Sequence, residues 1–176
     1  FRYRLLRERG GIWSDSDVVC LQPLEFASRR PYFFASERMP LQPSQGAHSI
    51  KVASCVMQAP AGSELLRRCD SRAEEIFRCE EVPWGAAGPE LMTAEVRALG
   101  LGEYVAPPDM FCPVDYWNIA ALVTGPTVVV GEVYCIHFWN DMWRRNFFDK
   151  DAEYDRISLY ERLKSRLLSE THAEIA

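Results

Sequence analysis

An α/β domain is the fold class this sequence predicts, on three observations. Short apolar runs of strand length alternate along the chain with stretches in which apolar residues recur at helical spacing. No internal repeat or linker-like segment interrupts that alternation, so residues 1–176 read as one domain of packed layers. With 176 residues, 48% of them hydrophobic and 12% aromatic, the chain has enough apolar surface to bury a sizeable core.

The elements follow in order. The opening stretch FRYRLLRERGG reads as an amphipathic helix with Phe1, Leu5 and Leu6 on one side, ended by Gly10 and Gly11. A strand over Val18 to Leu21 follows two aspartates, and a second, aromatic strand is expected over Pro31 to Glu37. A Pro/Ser/Gln-rich loop, expected to be flexible and exposed, runs through Gln45. Ile50 to Met57 reads as a third strand. In the helix after it, Leu65, Leu66, Cys69, Ala73, Ile76 and Phe77 form a face that packs on a sheet. In WGAAGPELMTAEVRALGLG, Gly88 suits an N-cap, Pro89 the first helical position, Glu90 the first turn and Gly100 the end. Extended segments are expected around Tyr104 to Ala106, Thr127 to Val130 and Tyr134 to Trp139. A closing helix carries Ser158 and Glu161 at capping-box spacing, with a stripe of Leu159, Leu163 and Leu167.

Charge and composition exclude several functions. A formal charge of −5 leaves no basic footprint, so no nucleic-acid partner is expected and an anionic ligand must be held by local arrangement. Nothing approaches the roughly 18 to 20 unbroken apolar residues of a membrane span, and no signal-peptide pattern opens the chain. The six cysteines are scattered without a C-x-x-C pair, several of them in apolar runs, which reads as a reducing compartment and no zinc site. The chain opens on Phe1, inside a helix and without a methionine, so an upstream segment is expected, with any anchor it contains.

The chemistry centres on GGIWSDSDVV. In an extended segment Asp15 and Asp17 project to the same side, roughly 6 to 7 Å apart at the backbone. Two such carboxylates repel each other unless a cation joins them, and hard oxygen donors suit Mg²⁺ or Mn²⁺ with positions left open for phosphate. The same pair also serves to punctuate a turn. The helix start at Gly88 and Pro89 offers N–H groups to a phosphate or sugar hydroxyl, or is an ordinary surface helix start. His137, within VYCIHFWN, is either a core side chain or a ligand that completes a metal site. Trp139 and Trp143 divide between core packing and stacking on a ligand. Asn140 either binds that ligand or caps a turn, and Asp115, Tyr116 and Trp117 line an acceptor side or pack on the core.

The arrangement R-x(7)-G-G-I-W-x-D-x-D, formed by Arg2, Gly10, Gly11, Ile12, Trp13, Asp15 and Asp17, resembles the signature of DxD sugar transferases. It is similar in particular to glycosyltransferase family 32, with its capsular-polysaccharide and α-1,4-galactosyltransferase-like members. WGAAGPELMT resembles that family's Gly-Pro segment, and IHFWNDMWRR its late His/Trp segment. The resemblance implies a GT-A fold, a Rossmann-like mixed sheet with flanking helices, whose N-terminal nucleotide-binding portion lies upstream of Phe1. It implies a retaining, Mn²⁺- or Mg²⁺-dependent transferase with a UDP- or GDP-linked nucleotide-sugar donor and a glycan, polysaccharide or glycolipid acceptor. By position, Asp15 and Asp17 are its catalytic pair, Asp17 and His137 its metal ligands, and Arg2, Asp15, Gly88, Pro89, Asn140 and Trp143 its donor-binding residues. A bacterial member would work in the cytoplasm, with peripheral membrane association, and a eukaryotic one in the Golgi lumen. Where the family carries asparagine in its middle strand, this chain reads VASCVMQAP, with Ser54 and Cys55.

Two alternatives come from the same residues. DSDVV also fits the D-x-D-x-[TV] nucleophile motif of HAD-type phosphohydrolases, with Asp15 as nucleophile and Asp17 as acid/base. That motif wants a hydrophobic strand directly before it and a later lysine; a helix and Gly-Gly-Ile-Trp stand there, and Lys51, Lys150 and Lys164 are poorly placed. A non-catalytic sugar-nucleotide or glycan-binding remnant of a transferase is the other.

Overall fold

The computed structural model describes residues 1–41 and 47–174, with side chains described as far as Leu168. The loop expected through Gln45 lies for the most part outside the described residues. The fold is mixed α/β. Helix α1 (Arg2–Arg9) leads into strand β1 (Gly11–Ser14), a tight turn at the aspartates, and strand β2 (Val18–Cys20). Strands β3 (Phe33–Arg38) and β4 (Ile50–Ala59), helices α2 (Glu64–Ile76), α3 (Leu91–Ala98) and α4 (Pro108–Phe111), strand β5 (Cys135–His137) and helices α5 (Asn140–Arg145) and α6 (Leu159–Glu174) complete it.

The strands form two small antiparallel sheets, one in the order β1-β4-β3 and the other pairing β2 with β5. The resemblance implies a Rossmann-like mixed sheet; the ladders between the described strands are antiparallel. Parallel pairing is confined, among the described residues, to a single bridge between Phe34 and Val105. The alternation establishes the layers but is silent on strand direction, which here is set by direct returns of chain such as that joining β3 to β4.

The three-stranded sheet separates two apolar clusters. Phe34, Val52 and Met57 face α1, α2 and α3 through Leu6, Leu65, Leu66, Met92 and Val96. Phe33, Ala35, Ala53 and Cys55 face a second layer that includes Phe111, Ile136, Trp139, Trp143 and Leu159. Ion pairs clasp the helices: Arg7 Nη1 lies 2.8 Å from the buried Asp70 of α2, and Arg68 of α2 lies 2.6 Å from Glu95, fully buried on α3. The α1 to α2 clasp fixes where Arg2 and Tyr3 point.

Several expectations need correction. On α1 the buried residues are Tyr3 and Leu6, one turn apart and facing α2, whereas Phe1 and Leu5 are exposed. Helix α2 does pack on the sheet, but it ends at Ile76, so Phe77 leaves its apolar face and is exposed. Thr127 to Val130 forms no strand, since no ladder pairs it among the described residues and Val128 and Val130 stand in solvent. Around Tyr104 the chain makes a 3₁₀ turn before the bridge at Val105. Gly88 does not cap a helix. It takes φ −118, ψ −115 inside a wide helical turn, Ala86–Glu90, that runs into α3. At α6, Ser158 Oγ accepts the Glu161 N–H (3.3 Å), but the Glu161 carboxylate accepts from the Tyr154 N–H instead of closing the box.

Gly10 and Gly11 form the tight passage from α1 to β1 at φ 67 and 88. A Cβ on Gly10 would stand 2.8 Å from the backbone nitrogen of Ala61. Gly10→Ala is therefore expected to cost about 1–3 kcal/mol through positive-φ strain and this backbone clash, read as a lower urea midpoint. Gly102→Ala, where nothing lies within 4 Å, is expected to be nearly neutral.

Candidate functional site

The aspartates sit where the chain leaves one sheet for the other. The Asp15 N–H donates to Cys55 O of β4 (2.7 Å), and the Val18 N–H closes a turn onto Asp15 O (3.3 Å). The Phe138 N–H then donates to Asp17 O (2.8 Å), past the end of β5. The pair thus occupies a turn between strands, where an extended segment was expected. Its carboxylates nevertheless converge: one oxygen each from Asp15 and Asp17 and a ring nitrogen of His137 lie within 4.8 Å of one another.

Each carboxylate is held by one oxygen at least. Asp15 Oδ1 accepts from Trp13 Nε1 (2.6 Å) and pairs with Arg2 Nη1 (3.2 Å). Arg2 also donates to Ser54 O (2.6 Å) and lies 5.3 Å from the Trp13 ring centroid. Asp17 Oδ2 accepts the backbone N–H of Asn140 (2.8 Å), and its Oδ1 lies 3.4 Å from His137 Nε2. Trp139, bent into the left-handed region at φ 54, places its ring 3.9 Å from the imidazole and donates Nε1–H to Val114 O.

These groups line a cavity of about 800 Å³ together with Ser54, Cys55, Glu37, Trp84, Gly88, Pro89 and Asn140. That volume falls within the range of small-molecule sites. The cavity thus gathers Arg2, Asp15, Asp17, Gly88, Pro89, His137 and Asn140 from four separate stretches of chain. Two expectations change in detail. The N–H groups of Gly88 and Glu90 already donate to Gly85 O, so the Gly-Pro segment presents its backbone to the cavity without those two donors. The Asn140 side-chain oxygen is engaged by Lys150, leaving its backbone N–H as the part that shapes the site. Trp143 does not line this cavity. It is buried among Phe138, Phe148, Tyr154 and Tyr160, a placement that favours packing over donor stacking. Asp115 is paired with Arg38, and Trp117 stacks on His48 away from the cavity wall.

Burial works against ionisation of Asp17, yet the bonds from His137 and the Asn140 N–H outweigh it and hold the carboxyl down to about 2. Burial likewise works against the imidazolium of His137, but its contacts with Asp17 and Cys55 lift it to about 10. The Cys55 thiol is lowered by the Cys112 thiol, against burial, and by His137. In the absence of a cation the site therefore holds an aspartate, an imidazolium and a thiol biased toward thiolate. Carboxylates joined by one imidazole suit Mn²⁺ better than Mg²⁺, and one oxygen of each carboxylate converges with the His137 ring nitrogen, so the donor set fits such an ion.

The sequence reading missed Glu37. It is 5% exposed at the pocket end of β3, on the side of Phe33 and Ala35. Its neighbour across the ladder, Lys51, is paired with Glu90. A signal was present: strand alternation in FFASE places a carboxylate at an inward position, where apolar residues otherwise stand. The expectation of no zinc site also meets a second cluster, Cys55, Cys112 and His137, assembled from residues far apart in sequence. All six cysteines are free. No helix among the described residues is long and apolar enough to cross a membrane.

No protein-family model matches the chain, and no curated protein matches its sequence.

Burial pushes the Glu37 carboxyl up to about 7 from 4.5, with the Cys55 thiol adding to the effect and His137 and Lys51 opposing it. A raised carboxyl favours folding below its unfolded pKa, and that contribution is lost as pH rises through about 7. Glu37→Gln, which keeps the shape and removes the titration, is expected to gain up to about 3 kcal/mol on the wild type between pH 4.5 and pH 8. Urea unfolding of both at the two pH values checks this; a difference independent of pH contradicts it.

Proposed function

We propose that the cavity binds a nucleoside diphosphate joined to a sugar through a divalent cation, which makes the chain a metal-dependent group transferase. More particularly, we read it as a retaining, GT-A-type glycosyltransferase similar to family 32, moving a sugar from a UDP- or GDP-linked donor to a glycan, polysaccharide or glycolipid acceptor. The observation that supports this best is the convergence of Asp15, Asp17 and His137 on one wall of a cavity also lined by Arg2 and the Gly88 and Pro89 turn.

Asp15, Asp17 and His137 would hold Mn²⁺, which when bound supplies Lewis-acid stabilisation of the leaving diphosphate. The chain's own groups prepare that site. Arg2 and Trp13 both engage Asp15 Oδ1, which fixes the carboxylate. The Asn140 N–H and the His137 ring fix Asp17, so the pair is preorganised. Trp139 covers one face of the imidazole and limits its rotation. The exposed Trp84, 5.7 Å from the Arg145 guanidinium carbon, stands on the rim, where an aromatic face suits the apolar face of a sugar ring.

The phosphohydrolase alternative draws little support from the site. Asp15, its nucleophile, is tied by Oδ1 to Trp13 and Arg2, and Lys51, on the middle strand β4, is paired with Glu90.

Calorimetric titration of UDP and GDP, with and without Mn²⁺, tests the proposal. Binding of one nucleotide is expected only with the metal, and Asp17→Asn is expected to weaken it by at least about a hundredfold, roughly the loss of one charge-assisted ligand. Metal-independent binding unchanged in Asp17→Asn would favour a non-catalytic remnant; no binding at all would leave the aspartates as a structural turn.

A further inference from the structure

Two groups beside His137, the Cys55 and Cys112 thiols, have no part in the proposed transfer. Cys55, in the middle of β4, and Cys112, just after α4, are both almost wholly buried, with their Sγ atoms 3.7 Å apart. One ring nitrogen of His137 and both sulfurs lie within 4.8 Å of one another. His137 is itself 8% exposed, and its Nδ1 is buried with no hydrogen-bond partner among the described residues.

The spacing is informative. A disulfide needs sulfurs about 2.05 Å apart, far closer than these. Two thiolates on one tetrahedral ion, with metal–sulfur bonds of about 2.3 Å, lie about 3.8 Å apart. The donor set also differs in kind from the carboxylate pair. Two sulfurs and an imidazole favour Zn²⁺, Co²⁺ or Cd²⁺ over Mg²⁺ and Mn²⁺. Cys55 and His137 both line the cavity, so an ion held here has an entry path and an open fourth position on the cavity side, while Cys112 closes the site from behind.

We propose that Cys55, Cys112 and His137 form a thiophilic metal site that takes Zn²⁺ or a similar borderline-soft divalent ion and commits to it the one lone pair that a neutral His137 ring offers a metal. As two metal–sulfur bonds and one metal–nitrogen bond form, two protons leave to solvent, whichever of Cys55 and His137 holds the proton they share. Because the imidazole belongs to both donor sets, the two ions compete. The thiol site stands independently of the glycosyl-transfer reading, and only the competition rests on it. In a transferase of this kind, zinc would act as an inhibitor that enters through the donor cavity.

The test uses the reduced, metal-free chain and Co²⁺ as probe. One equivalent is expected to produce thiolate-to-cobalt charge-transfer absorption in the near ultraviolet, which Zn²⁺ then abolishes by displacement. Cys112→Ser should lose the band and raise the apparent Kd for Zn²⁺ by more than about tenfold, since a thiolate ligand is gone. Cys20→Ser is the control for the other close pair, Cys20 and Cys135, whose sulfurs are 3.5 Å apart. Circular dichroism of Cys112→Ser confirms that it folds, and Cys55→Ser supplies a second loss of the band. Absence of the band in the wild type, its survival in Cys112→Ser, or its loss in Cys20→Ser alone would overturn the proposal. Mn²⁺ electron paramagnetic resonance then reads the competition. Zn²⁺ should release bound Mn²⁺ from the wild type at a concentration more than about tenfold lower than from Cys112→Ser, where only direct replacement at the carboxylate site remains. Failure of the wild type to bind Mn²⁺ while the cobalt band is present would count against the transferase reading and leave the thiol site standing.

Discussion

The Asp17 carboxylate joins two stretches of chain 123 residues apart, and the arrangement of the site depends on that junction. Its Oδ2 takes the Asn140 N–H, its Oδ1 faces His137, and its own carbonyl takes the Phe138 N–H. These contacts pin the chain just past β5 to the turn where β1 gives way to β2. They extend the short β2–β5 ladder, whose pairing of Val18 with His137 sets the late histidine beside the early aspartates. Burial of an ionised carboxylate is costly unless its oxygens are hydrogen-bonded, so the same contacts that build the site also make the charge tolerable.

His137 is the hinge of the electrostatics. It stands between a hard pair of carboxylates and a soft pair of thiols, and in a cation-free protein its positive charge balances both. A cation at either set takes over that balancing role and displaces a proton. The surrounding structure restricts the ring: Trp139 packs on it, and the strand that supplies it is buried along all three of its residues. Glu37, close enough for its charge to be felt at His137, adds a second group whose protonation depends on what the cavity holds.

Much of the site was legible because it is local. D-x-D between a glycine pair and an apolar run, a Gly-Pro turn and a histidine beside tryptophan are short patterns, and the chain brings the residues they name to one cavity. Arg2 was legible for the same reason, one helix away. What could not be read is what tertiary contact creates. Cys55 and Cys112 sit in apolar surroundings that look like ordinary core, and only the crossing of β4 with the segment after α4 sets their sulfurs side by side. Trp143 carried the same aromatic signal as Trp139, yet one helical turn onward it points into the core. Glu37 was readable from alternation, but the four apolar or small residues before it masked the signal. The layers of the fold were visible in the periodicity; the antiparallel direction of the strands was not, since side-chain patterning does not encode it.

The central claim is that Asp15, Asp17 and His137 act as one cation site facing a nucleotide cavity. Crystals of the protein grown with Mn²⁺ and UDP or GDP, with anomalous data collected at the manganese absorption edge, test it most directly. The account predicts a single manganese peak bonded to Asp17 and His137, beside Asp15, with the diphosphate completing its coordination. A peak at another place on the surface, or a nucleotide bound in this cavity with no metal between its phosphates and Asp17, would contradict it.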